Sequence, residues 1–109
     1  MEQVDKMELN TVWNQISVGS RTTVTTVVAN LSTLVTAISG VQGAMKSQIV
    51  TNMNSSNAIF FSKAANATAE NAEGYLGPLE TKTFHFIDKS QLPYFIAAAD
   101  SEMGVIVIQ

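Results

Sequence analysis

Cysteine is absent from the 109-residue chain. That excludes disulfides and thiolate metal sites and leaves the redox compartment open. Charge is scarce: Asp, Glu, Lys and Arg make up 14% of the residues, against roughly 25% in ordinary soluble domains. No acidic residue occurs between Glu8 and Glu70, and from Thr22 to Ala69 the only charges are Lys46 and Lys63. The net charge is −3 and no Lys/Arg cluster exists, so nothing here attracts nucleic acid. Residues 1–10 mix charges and carry no apolar core, unlike a signal peptide.

Recognisable catalytic chemistry is missing as well. One histidine, His85, without cysteine makes no metal site. There is no Gly-x-Ser-x-Gly elbow and no phosphate-binding loop. Asp88, Asp100 and Glu102 fall at expected strand ends and in a turn, where carboxylates serve solvation. The expectation is a protein that is not an enzyme and needs no cofactor or metal.

What the chain does contain is Thr, Ser, Asn and Gln in place of charge. A lone soluble monomer keeps more charge on its surface, so this composition points to a surface covered by other subunits. The stretch 22–72 shows a candidate pattern. Val24, Val28, Leu31, Val35, Ile38, Gln42, Met45 and Ile49 alternate steps of four and three, which matches the a and d positions of a coiled coil. Val27, Leu34 and Val41 widen the stripe, favouring three helices over two. Gln42 would be a polar layer fixing register. Against a helix stand the strand-favouring Val and Thr of 22–28 and the two glycines at 40 and 43. Those glycines also permit a turn, giving a hairpin of 22–39 on 44–72. The apolar phase runs through them, and the expectation is a continuous rod.

Ahead of the rod, Leu9, Val12, Trp13 and Ile16 follow the spacing of a short amphipathic helix. They are candidates for docking to a partner, with Trp13 either packed on its own domain or serving as the anchor. After it, Gly74 and Pro78 end the helical region. Thr81–Ile87, residues 91–98 and Val105–Ile108 read as strands, with a turn at 100–104. Val105, Ile106, Val107 and Ile108 are apolar on both faces, so both faces should be buried. Three short strands cannot build a core alone, whereas several copies could.

The expected fold is α+β. A long central helix forms a trimeric coiled coil and carries a small C-terminal antiparallel β head. The expected parts are an anchor at 1–20, a rod at 21–74 and a head at 75–109. The order of anchor, Ser/Thr/Asn/Gln-rich coil and β head resembles bacteriophage virion fibre proteins. The residues that carry it are the ladder Val24 to Ile49, the tract Asn52 to Asn71 and the head Leu79 to Gln109. The resemblance implies a homotrimeric structural protein of the virion, assembled in the host cytoplasm and docked to other virion proteins. The short chain favours a capsid decoration, head fibre or connector. Two rival readings are a helical-hairpin adaptor domain with a β-sheet, and a holin- or fusion-like protein inserting Thr22 to Met45 into a membrane.

Overall fold

Valine and threonine carry two substituents on Cβ and fit a pleated strand better than a helix. That preference prevails at the start of the central stretch. The computed structural model describes residues 16–41, 45–87 and 91–108. Within them, strand β1 (Ile16–Val24) is followed by β2 (Ala29–Asn30), β3 (Met45–Asn52), β4 (Ile59–Ser62), β5 (Gly74–Leu76), β6 (Thr81–Ile87), β7 (Tyr94–Ala97) and β8 (Ser101–Ile108). The helical elements are a single turn, α1 (Leu31–Leu34), and a 3₁₀ turn at Thr36–Gly40.

The strands form two antiparallel four-stranded sheets. The first has the order β1-β8-β3-β6 and the second β2-β7-β4-β5. Every connection except β4–β5 passes from one sheet to the other. This connectivity is that of an eight-stranded jelly roll. The expected α+β rod with a trimeric coiled coil is therefore wrong: the residues assigned to the rod supply all of β2, β3 and β4, the end of β1 and the first residue of β5, to both sheets.

The ladder of apolar residues is divided accordingly. Val24, Leu31, Val35 and Ile38 are buried in a core built by this one chain, with Val18, Val50, Ile59, Leu76, Phe95, Met103, Val105 and Val107. Leu31 and Ile38 do sit on helical turns, but these are two short separate turns with Val35 as the non-helical residue between them, and they cap the sandwich. Asn30 starts α1 by accepting hydrogen bonds from Ser32 N–H and Oγ–H. Its Nδ2 donates to the Leu92 carbonyl, and Thr22 Oγ1 donates to the Leu34 carbonyl, so the turn is fastened to both flanks. Val28 is half-buried before β2, and Ile49 faces outward on β3. Gln42 lies outside the described residues; Met45 is at the first position of β3.

In the C-terminal part, β6 occupies Thr81–Ile87 as expected, and β7 lies within 91–98 after Pro93. Strand β8 starts at Ser101, inside the residues expected to turn. It is the second strand of its sheet, paired on both sides.

Two polar features join the sheets at one end. The side chain of Asn52, fully buried at the end of β3, donates from Nδ2 to the carbonyls of Asn57 (2.8 Å), Leu76 (3.1 Å) and Gly77 (3.1 Å). Its Oδ1 accepts from Asn54 N–H at 2.9 Å. Next to it, Gly77-Pro78-Leu79-Glu80 closes with a Glu80 N–H to Gly77 carbonyl bond of 3.0 Å. Leu79 has φ 61° there, the glycine-favouring third position of a type II turn.

Candidate functional site: the outer faces of the two sheets

In a strand, alternate side chains point to opposite faces. On β8 the inward set is Ser101, Met103, Val105 and Val107, all buried. The outward set is Glu102, Gly104, Ile106 and Ile108, and the two isoleucines remain half-buried. The paired registers extend this outward set across the first sheet. One row is Gly19, Ile106, Ile49 and Thr83. The next is Arg21, Gly104, Thr51 and Thr81. On the other side of the isoleucine row, Ile108 lies beside Ser47, which is beside His85.

The centre of this face is therefore Ile49 and Ile106, edged by hydroxyl groups. Thr51 and Thr81 share a 2.8 Å hydrogen bond, and Ser47 Oγ lies 3.3 Å from His85 Nδ1. At Gly104, which has no side chain, the surface sinks into an open hollow of about 410 Å³, lined by Arg21, Ile49, Thr51, Met53, Gly104, Val105 and Ile106. A Cβ on Gly19 would meet nothing within 4 Å. At the rim, Arg21 Nη2 is 3.5 Å from Glu102 Oε2, and its Nε approaches Met53 Sδ at 3.1 Å. Both charged groups are more than half exposed, so this pair adds little stability.

The second sheet has a different outer face. Ile96, Phe60 and Tyr75 align across β7, β4 and β5. The Phe60 and Tyr75 rings are 6.3 Å apart and tilted by 47°. Tyr75 is 58% exposed. At the side of the sandwich, the exposed Glu73 carboxylate accepts from Lys63 N–H at 2.8 Å and from Ser62 Oγ–H at 3.1 Å. These two hydrogen bonds, the backbone one first, and the nearby Lys63 charge hold its pKa below the ordinary glutamate value. This arrangement closes the β4–β5 connection and does not converge on a reacting group.

Among the described residues, no group of three or more His, Cys, Asp or Glu could hold a metal ion. Among the same residues no helix is long and apolar enough to cross a membrane, and the proposed inserting stretch Thr22 to Met45 contributes to strands and short turns instead. Of the residues expected to contact other subunits, Ile49, Ile106 and Ile108 share one outer face, while Val105 and Val107 point into the core. Leu9, Val12 and Trp13 lie outside the described residues; Ile16 begins β1 opposite Ile108. The Phe60–Tyr75–Ile96 row was not anticipated. Its signal was the strand-favouring run Ile59-Phe60-Phe61, hidden while 59–62 was assigned to a helix.

No protein family, curated protein or solved structure matches the chain.

Proposed function

We propose that this protein is a structural subunit of a virus particle that works by self-association through the outer face of the first sheet. The observation that carries the reading is the position of Ile49 and Ile106. They sit side by side on the two central strands and are left half-buried by their own chain. Apolar side chains at the middle of a sheet, ringed by threonine and serine, suit a surface that another subunit covers.

Size supports the same reading. Eight-residue strands are about 26 Å long, and four of them span about 19 Å. Covering such a face removes about 500 Å² per partner, or about 1,000 Å² in all, the lower end for a specific interface. The low charge of the chain fits, because few ions would have to be dehydrated. The jelly roll is a fold used by viral capsid and lectin domains. That supports the virion assignment by analogy of fold alone. The threefold count rested on the coiled coil, and strands stand in its place.

Light scattering on the purified protein tests this. The expected mass is a multiple of 11.7 kDa, and Ile106→Glu reduces it to the monomer while leaving a folded β spectrum. A monodisperse wild-type monomer at micromolar concentration refutes the proposal.

A further inference from the structure

The face just described needs a surface to meet on the neighbouring copy. We infer that this surface is the outer face of the second sheet, so that copies associate head to tail. The inference rests on the self-association proposed above and names the patch that completes it.

The strands of the second sheet, Ala29–Asn30, Ile59–Ser62, Gly74–Leu76 and Tyr94–Ala97, contain no Asp, Glu, Lys, Arg or His. Strands of the first sheet carry Arg21, Lys46, Lys82, His85 and Glu102. Burying the second face therefore dehydrates no charge. Its outward row, Ile96, Phe60 and Tyr75, is apolar with one polar handle, and such aromatics anchor interfaces. Val27, 71% exposed, adds an apolar side chain just before β2, the strand beside β7.

The two faces differ in relief. The first sinks at Gly104 into the hollow of about 410 Å³. The second raises Tyr75, 58% exposed, on its edge strand β5. An aromatic ring set into the hollow would pack on Ile49 and Ile106. It would also place its π-face against the guanidinium of Arg21 at the rim. Pairing the first face with itself leaves the aromatic row uncovered, whereas pairing the two unlike faces covers both. An unlike pairing is directional, and repeated it makes a ring or a stack.

Complementation between blocked copies tests this. Tyr75→Glu blocks one face, and Ile106→Glu blocks the other. Thr83→Arg, an exposed position in the Ile49 row, provides a second block that burdens the core less. Each variant alone is expected to be a folded monomer by circular dichroism and light scattering. Mixing the Tyr75 variant with either first-face variant leaves one intact pair of unlike faces. The mixture should then form a dimer of about 23 kDa, twice 11.7 kDa, and stop there. If Tyr75→Glu assembles as the wild type does, or if the mixtures stay monomeric, the head-to-tail inference fails while self-association stands. A monomeric wild type overturns both.

Discussion

Replacing Asn52 by alanine removes the polar joint between the end of β3 and the β5–β6 turn. Two Nδ2 hydrogens serve three carbonyls, those of Asn57, Leu76 and Gly77. Only the bond to the Leu76 carbonyl is fully buried; the other two and the Asn54 N–H bond are partly buried. An orphaned buried acceptor costs about 1–3 kcal/mol, and partly buried ones recover some of the loss through water. The sum is about 2–4 kcal/mol, a large share of the roughly 5–15 kcal/mol that holds a domain together. In urea, with a slope of about 2 kcal/mol per molar, the midpoint should fall by about 1–2 M. The comparison is made at one protomer concentration, because association adds to apparent stability. Asn52→Asp is the sharper variant. It keeps the acceptor for Asn54 but sets an anion against three carbonyl oxygens, so it should cost more than alanine at neutral pH. Its folded-state pKa is then raised, and its deficit relative to wild type should shrink as the pH falls and the carboxyl protonates. An alanine variant within about 0.5 kcal/mol of wild type refutes the account, as does an aspartate variant no worse than alanine.

Three other predictions concern single contacts. A Cβ on Gly74 falls into the Phe61 ring, 2.6 Å from Cε1; Gly74→Ala should cost about 1–3 kcal/mol, largely restored by Phe61→Leu in a double-mutant cycle. Leu79 is 65% exposed at φ 61°, so Leu79→Gly should raise the thermal midpoint and Leu79→Val should lower it, the reverse order sinking the assignment of strain. Because Glu73 has a lowered folded-state pKa, its contribution is present above the unfolded pKa and is lost as the pH falls through the folded one. Protection of the Lys63 amide against exchange, taken relative to the intrinsic rate at each pH, should fall over that acidic range in the wild type and not in Glu73→Gln, and a Glu73 carboxyl titrating at the ordinary value by NMR argues against the hydrogen bonds.

Several local decisions were legible in the chain. Thr81–Ile87 alternates and is a strand; Pro93 stands just ahead of β7, where a missing N–H is tolerated; Pro78 fills the second position of a turn. The apolar run Val105–Ile108 was expected to be buried on both faces; it is a strand paired on both sides, with Val105 and Val107 buried and Ile106 and Ile108 left half-buried. What misled was the spacing from Val24 to Ile49. Leu31 and Ile38 occupy real helical turns, but Val35 between them has non-helical backbone (φ −124°, ψ 88°), and the second turn stops at Gly40. On β3 the strand period was disguised. The buried inward positions hold Gln48 and Asn52 around Val50, while the apolar Ile49 faces out.

The sequence by itself determined some of the local conformations that depend on neighbours in the chain: the strands around Thr81–Ile87 and Val105–Ile108 and the break at Pro78. Only the tertiary structure decided which strands pair and which face of each is inside. Those choices rest on contacts between distant residues, such as Asn52 with Leu76 and β1 with β8. A buried amide such as Asn52 is stable only when the opposite sheet brings carbonyls to it, and no local pattern encodes that meeting.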